Sequence, residues 1–219
     1  MSWKEIGKAV NDTLRRGKLV PLNRIVEIEA HNTFYNSSIA NNSAWADSSN
    51  NEYYVVPNGV VEVTDTTFDS VKSSVSQILL PVSVRKIGEE AFYESTLKFI
   101  VIPPSVTEIG AGAFAYCTSL KNIKISNGVE VIRESAFENS GLSAVELPMS
   151  LSAIWANAFA YNASLKSVRF NSKPTIYSQV FANCTNLKDI YVPWSEGEVD
   201  GAPWGATKAT IHYNSEVAT

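Results

Sequence analysis

Residues 97–117 carry the sequence LKFIVIPPSVTEIGAGAFAYC, and close variants of this stretch follow one another along the chain. Its most regular member is a phenylalanine that recurs every 22 to 24 residues. The six copies are Phe68, Phe92, Phe114, Phe137, Phe159 and Phe181. A fixed period of this length is typical of repeat architectures, in which each unit is a small structural element that packs on its neighbours.

The first six residues of the stretch predict a β-strand. Leu97, Ile100 and Ile102 follow an L-x-x-I-x-I pattern, whose two-residue alternation indicates a strand with one buried face. Pro103 ends the strand because proline has no backbone N–H to donate. One strand cannot bury its apolar face alone, so the units must stack along a parallel sheet at about 4.8 Å. The Ala-Phe pair at residues 113–114 is then expected to fill the opposite side of the core.

The unit L-x-x-I-x-I-P-x-S-V-x-x-I-G-x-x-A-F-x-x-C resembles the repeat of the BspA-like leucine-rich-repeat family of bacterial surface proteins over about residues 53–192. The resemblance implies a mainly β leucine-rich-repeat solenoid with a parallel sheet and repeats of 22–24 residues. The more familiar leucine-rich repeat has a buried Asn after its strand. Here that place is occupied by Ser105, Gly128 and Ser150. The backbone polar groups of the turn must therefore find hydrogen-bond partners other than an Asn side chain.

The N-terminal region is predicted to contain a short helix, because Ser2 and Glu5 form a capping box. Its apolar stripe, a candidate attachment surface, comprises Trp3, Ile6, Val10 and Leu14. The stripe is either a cap on the first repeat or a contact for self-association or for other virion proteins, since so short a helix must pack on something. Residues 1–35 form this segment, and a Ser/Asn-rich linker follows at residues 36–52.

The C-terminal residues 193–219 are predicted to form a capping hairpin. Trp194 and Trp204 stand on proline turns and suit the closure of an exposed solenoid core, although a ligand site at these side chains is the alternative. This segment and residues 3–11 loosely resemble prophage tail-region proteins of Gram-positive bacteria. That resemblance implies a virion-associated protein.

Charge and composition exclude several functional classes. The net charge is −4, which argues against nucleic-acid binding because phosphate recognition needs a concentrated basic surface. No apolar run approaches the roughly 18 residues of a membrane span. The N-terminus lacks the apolar region of a signal peptide, so the chain is expected to be made in the cytoplasm and to reach a virion, or the extracellular space after lysis.

No cofactor, metal site or active site is predicted, because the sequence contains no metal-ligand spacing and no catalytic motif. Cys117 and Cys184 occupy the same place in repeats three units apart. Stacking at about 4.8 Å puts them roughly 14 Å apart, which is too far for a disulfide. Both are therefore expected to be free thiols in a packing position.

The candidate binding face consists of two rows on the predicted sheet. The first row consists of the residue directly after the first apolar position of each L-x-x-I-x-I pattern, and it is rich in lysine. The second row is the outward-facing position of each strand, beginning with Leu79 and Val101. The candidate residues are Lys98, Lys121, Lys124, Glu146, Lys166, Arg169, Lys188 and Tyr191. The rows suit a protein or an acidic cell-surface glycan, although lysines also keep long sheets soluble.

These features together favour a non-catalytic binding or structural module. The preferred interpretation is a virion-associated protein of a phage or prophage, located in the tail or binding the receptor. The alternative is a bacterial cell-surface adhesin or host-interaction protein.

Overall fold

The fold is taken from a computed structural model that describes residues 45–46, 54–56, 58–68, 73 and 76–216. The predicted N-terminal helix with Trp3, Ile6, Val10 and Leu14 lies outside these residues, as does most of the Ser/Asn-rich linker. Within the described part the chain is built entirely from strands and turns, with no helix.

The strands fall into two sets, one on each of two sides of a solenoid. The first set, which carries the L-x-x-I-x-I pattern in its central members, comprises β1 (Trp45–Ala46), β2 (Tyr54–Val55), β4 (Gln77–Leu79), β6 (Phe99–Ile102), β8 (Asn122–Ile125), β10 (Ala144–Leu147), β12 (Ser167–Phe170), β14 (Asp189–Tyr191) and β15 (Thr210–His212). The second set comprises β3 (Glu62–Val63), β5 (Lys86–Ile87), β7 (Glu108–Ile109), β9 (Val131–Ile132), β11 (Ala153–Ile154) and β13 (Thr175–Ile176).

Both sets pair in parallel, one strand per repeat, so each repeat is one coil, or rung, of the solenoid. The first set divides into two sheets, with strand orders β1-β2-β4-β6-β8 and β10-β12-β14-β15. Among the described strands, β1 alone runs antiparallel to its neighbour. The second set forms one sheet in the order β3-β5-β7-β9-β11-β13. Equivalent residues pair across rungs, as Ile100 does with Ile123.

The second sheet was not predicted as a sheet. The V-x-x-I step was recognised as part of the repeat, but its strands are two residues long and offer no alternation to detect. In β5 to β11 the buried member is the isoleucine of that step, namely Ile87, Ile109, Ile132 and Ile154, and in β3 it is Val63. The core is therefore enclosed between two sheets and the Ala-Phe turn.

The six repeated phenylalanines form a continuous column inside the solenoid, which confirms the predicted role of the Ala-Phe pair. All six side chains are fully buried. Successive rings stack face to face with centroids 4.8 to 5.8 Å apart. This spacing is close to the separation of neighbouring strands in a sheet. Each ring therefore packs directly on the rings of the rungs before and after it.

The Ala-Phe turn has a repeated backbone conformation that links each rung to the next. Two residues four positions apart in each turn have φ between 49° and 60°. They are Glu90 and Glu94, Gly112 and Tyr116, Ser135 and Asn139, Asn157 and Tyr161, and Gln179 and Asn183. A left-handed backbone costs a non-glycine residue roughly 1–2 kcal/mol. It is held by hydrogen bonds between rungs, as where the N–H of Glu90, Phe92 and Glu94 donates to Ala111, Ala113 and Ala115.

The cysteines occupy a buried slot whose side chains form hydrogen bonds between rungs. This slot is occupied by Ser95, Cys117, Ser140, Asn162 and Cys184. The prediction of a simple packing position was therefore incomplete, because these side chains also form hydrogen bonds. The Cys117 thiol donates to the Phe92 carbonyl at 2.9 Å, and the Asn162 amide donates to the Phe137 carbonyl at 2.6 Å. This slot replaces the missing Asn ladder at a different place in the repeat. Both cysteines are free, as predicted.

In some rungs, serine hydroxyls form hydrogen bonds with the backbone N–H and C=O groups of the turn that follows the first-sheet strand. Ser150 Oγ donates to the Val129 carbonyl at 2.7 Å and accepts the Gly128 N–H at 2.9 Å. Ser172 Oγ likewise donates to the Leu151 carbonyl. Because the hydroxyl both donates and accepts, one serine can satisfy two backbone groups.

The C-terminal hairpin prediction was wrong. β15 pairs with β14 in parallel, with Ile190 opposite Ile211, so it continues the sheet as a further strand. The chain between them passes across the end of the core and carries Trp194 and Trp204, both buried against Phe170. Two parallel strands must be joined by a long crossover connection, whereas a hairpin joins antiparallel strands by a tight turn. The connection between β14 and β15 is of the crossover kind.

We predict that Phe137→Ala lowers the free energy of unfolding by about 3–5 kcal/mol, because it leaves a cavity in the middle of the phenylalanine column. The matched control Lys124→Ala, on an exposed side chain of β8, is expected to change it by about 0.5 kcal/mol or less. Urea unfolding followed by circular dichroism measures both. Equal shifts of the two midpoints would contradict the observed register.

We predict that neither thiol reacts with a disulfide reagent in the native protein at pH 8, and that denatured, unreduced protein gives two thiols per chain. Burial raises the pKa of Cys184 to about 11, so almost none of the reactive thiolate is present at that pH. Because the folded-state pKa lies above the ordinary value of 9.0, stability is expected to fall as the pH rises from about 9 towards 11. Rapid labelling of the native protein would contradict the closed slot.

Candidate functional site

The predicted lysine row is a straight line of exposed side chains at the start of the first-sheet strands. Lys98, Lys121, Lys166 and Lys188 are all exposed. Backbone hydrogen bonds connect each residue of the row to the one before: Lys98 to Ser76, Lys121 to Lys98, Ser143 to Lys121, Lys166 to Ser143, and Lys188 to Lys166, with N···O distances of 2.8 to 3.2 Å. Two lysine pairs therefore stand on neighbouring rungs, with Ser143 between the pairs.

The outward row of the strands lies beside the lysines. Val101 pairs with Lys124, and Glu146 with Arg169, so these side chains project from neighbouring rungs. Lys124 and Glu146 are exposed, whereas Val101 and Arg169 are half-buried. Leu79, predicted to start this row, is buried, so the accessible part begins at Val101.

The C-terminal end of the outward row is a stack of three planar side chains. The Arg169 guanidinium lies 4.5 Å from the centroid of the Tyr191 ring. Tyr191 stacks on His212 with centroids 4.6 Å apart, and His212 Nε2 lies 2.8 Å from Asp189 Oδ1. Sequence reasoning included Arg169 and Tyr191 but missed His212, because its strand was assigned to a hairpin. The repeat spacing between Tyr191 and His212 was the signal that would have found it.

A cleft of about 510 Å³ lies in the middle of the same face. It forms where the first set of strands divides, because β8 and β10 lie next to each other but do not pair as a ladder. Its lining residues are Ile123, Lys124, Ile125, Ser126, Asn127, Glu146, Pro148, Met149 and Asn171. Ile123 is half-buried here, whereas the equivalent Ile100 and Val145 are buried.

The cleft has a basic wall and an acidic wall on neighbouring rungs. Lys124 contributes the ammonium group and Glu146 the carboxylate, which accepts a hydrogen bond from the Asn171 amide at 2.9 Å. Met149 is 54% exposed and adds an apolar surface. Two lining residues, Ser126 and Asn171, stand where Pro103 and Pro148 stand in other rungs, and this departure from the repeat was the available sequence signal.

The described residues contain no group of three or more His, Cys, Asp or Glu side chains positioned to hold a metal ion. In the same part of the chain, no helix has the length and apolarity needed to cross a membrane. The arrangement offers charged, amide and aromatic groups on a rigid sheet, which suits recognition of a ligand surface.

Comparison with known structures places the fold among bacterial leucine-rich-repeat proteins. A leucine-rich repeat protein from Bacteroides ovatus is 30% identical over 69% of the chain, with a TM-score of 0.58, and the chain spans 42% of that protein's length. The T. pallidum leucine rich repeat protein is 25% identical, with 78% of each chain covered and a TM-score of 0.58. A leucine-rich repeat protein from Eubacterium ventriosum is 20% identical, with 69% of this chain and 42% of that protein covered and a TM-score of 0.58. It shares the fold. No curated protein sequence matches the chain.

Comparison of the sequence with protein families also identifies a bacterial leucine-rich repeat. The family model for the BspA type leucine rich repeat region matches in six copies, over residues 37–166 and 85–200. These ranges together include more than half of the chain and all the described rungs from β4 to β14. The chain therefore belongs to the BspA type leucine-rich-repeat family.

Proposed function

We propose that this protein is a non-catalytic binding module whose lysine row and outward strand row bind an acidic partner, either a protein or a cell-surface glycan. The observation that carries the proposal is the separation of charge across the solenoid. The strand side carries four aligned lysines, although the net charge of the chain is −4. The turns around Phe92 and Phe137 carry the acidic side chains Glu89, Glu90, Glu94, Glu134 and Glu138, and no Ala-Phe turn of the described rungs carries a lysine or arginine.

This separation supports binding over a purely solubilising role. A row of like charges at the spacing of neighbouring rungs repels itself, and an anionic ligand relieves that repulsion. Charged side chains of either sign keep a protein soluble, and acidic ones do so at least as well as basic ones. A negatively charged molecule that nevertheless concentrates lysine along one line therefore favours an anionic partner, such as a teichoic acid or a sialylated glycan.

The rows and the cleft lie close enough to act on one ligand. Lys124 and Glu146 belong both to the outward row and to the walls of the cleft. Arg169, Tyr191 and His212 extend the same row over the following rungs. An extended anionic chain along the lysine row would meet polar and aromatic side chains at each rung, which gives specificity beyond charge.

We predict that replacing Lys98, Lys121, Lys166 and Lys188 with Glu weakens binding to teichoic-acid-bearing cell walls or sialylated glycans at least about tenfold, since four exposed charge contacts are reversed. The matched control replaces the same four residues with Arg, which keeps the charge. Binding is measured at two salt concentrations, because contacts of this kind weaken as salt rises. Equal affinity of the Glu and Arg variants on both surfaces would refute the lysine row as the binding face.

The proposed location of the module is a phage or prophage virion, in the tail or at the receptor-binding end. The support is the resemblance of residues 3–11 and of the C-terminal segment to prophage tail-region proteins. In this proposal residues 1–35 attach the module, residues 36–52 are a linker, residues 53–192 form the solenoid and residues 193–219 cap it. The alternative location is a bacterial cell surface, where the same face would serve an adhesin or a host-interaction protein.

We predict that the protein is present in phage particles purified from an induced lysogen, and that replacing Trp3, Ile6, Val10 and Leu14 with Ser removes it from them. The apolar stripe is the proposed contact, so polar side chains there are expected to prevent attachment without altering the rungs. Mass spectrometry of particles and of the cell-surface fraction measures the location, and thermal unfolding checks the fold. Recovery from the cell surface alone supports the adhesin.

A further inference from the structure

The second sheet carries its own row of interacting side chains, on a side of the solenoid separate from the lysine row. Lys86 Nζ lies 3.2 Å from Glu62 Oε1 and 3.8 Å from Glu108 Oε1, and these residues are register partners. Arg133 Nη2 lies 2.9 Å from Glu108 Oε2. Glu62, Lys86 and Glu108 therefore alternate in charge along the sheet, and Arg133, which follows β9, meets Glu108 from the next rung.

From Arg133 onward the contacts continue through the residues that directly follow β9, β11 and β13, namely Arg133, Trp155 and Tyr177. The Arg133 guanidinium lies 5.2 Å from the centroid of the Trp155 ring. Trp155 stacks in turn on Tyr177, with centroids 4.6 Å apart and ring planes 12° from parallel. The chain of contacts from Glu108 through Arg133 and Trp155 holds the Tyr177 ring in a defined orientation. A stack of this kind is worth about 0.5–1.5 kcal/mol beyond its buried area.

Tyr177 stands at the open end of the row. It follows β13, the last strand of the second sheet in the described part of the chain. Trp155 covers one face of its ring, and in the described part of the chain no strand of that sheet follows β13. The side chain is 43% exposed. An aromatic face that is rigidly supported from behind and open in front is a surface on which a flat ligand can stack.

A cleft of about 370 Å³ lies at the same end of the second sheet, and the residues immediately before Tyr177 line it, although Tyr177 itself does not. Its lining includes Lys173, Thr175, Glu198 and Asp200. Thr175 and Tyr177 are two residues apart in extended chain, so their side chains project to the same side. Lys173 Nζ lies 3.2 Å from Glu198 Oε1. The Ser195 N–H and the Lys173 ammonium lower the pKa of Glu198, which is therefore an ionised hydrogen-bond acceptor at neutral pH.

We infer that Tyr177 and the adjoining cleft form a binding site for a neutral pyranose sugar of a glycan. The apolar C–H face of such a ring packs on an open aromatic face, and vicinal hydroxyls donate hydrogen bonds to carboxylates such as Glu198 and Asp200. The two carboxylates disfavour an anionic sugar at this place. Because only one flat ring is offered and no aromatic cage surrounds the cleft, the geometry favours a flat ligand over a quaternary ammonium group. The inference does not depend on the lysine row.

The test is a titration of the full chain with neutral oligosaccharides, namely cellohexaose, maltohexaose and chitohexaose, followed by intrinsic fluorescence and calorimetry. At least one is expected to bind. Tyr177→Ala is expected to weaken that binding about tenfold or more, whereas Tyr177→Phe keeps the ring and stays within about threefold of the unaltered protein. Circular dichroism and thermal unfolding confirm that both variants are folded.

Two controls separate this site from the rest of the surface. Tyr161 is 52% exposed on an Ala-Phe turn, and Tyr161→Ala is expected to leave the affinity unchanged. The four-lysine Glu variant is also expected to bind the neutral sugar as before, so failure of one site does not imply failure of the other. The inference is overturned if none of the three sugars binds at millimolar concentration, if Tyr177→Ala binds equally well, or if choline displaces the sugar and binds more tightly.

Discussion

The stacking of one phenylalanine ring on the next is the interaction on which the rest of this structure depends. Six fully buried rings lie 4.8 to 5.8 Å apart, and the column extends through the described rungs from Phe68 to Phe181. A ring has its two faces covered only when both neighbouring rungs are present, so stability is shared between rungs. The column also sets the register, because a shift of one strand would move its ring out of line.

The column imposes a backbone conformation on the turn that carries it. Left-handed residues such as Glu90 and Glu94 allow the chain to close tightly around the ring. The inter-rung hydrogen bonds of the turn and the buried Ser, Cys and Asn slot hold that conformation in place. A buried polar group is tolerated when it is satisfied. Cys117, Asn162 and Cys184 donate to carbonyls of the preceding rung. Ser95 and Ser140 pair with the slot side chain of the following rung.

Because the core is defined by a few repeated positions, the surface is free to vary from rung to rung. The strand side has a lysine row, a mixed cleft and a terminal stack of Arg169, Tyr191 and His212. The second sheet carries a charge ladder that ends in the aromatic pair Trp155 and Tyr177. The repeated core therefore holds two chemically different surfaces on one scaffold.

The sequence alone determined the repeat, the first-sheet strands, the buried phenylalanines, the free cysteines and the alignment of the four lysines. These features depend on periodicity, and every rung repeats the same local signal. The tertiary structure decided the second sheet, the division between β8 and β10, the parallel course of β15 and the open face of Tyr177. A two-residue strand has no period to detect, and whether neighbouring strands pair depends on contacts between distant segments. A tyrosine becomes a platform only when its neighbour covers one face and the sheet ends at the other, and no single repeat encodes that arrangement.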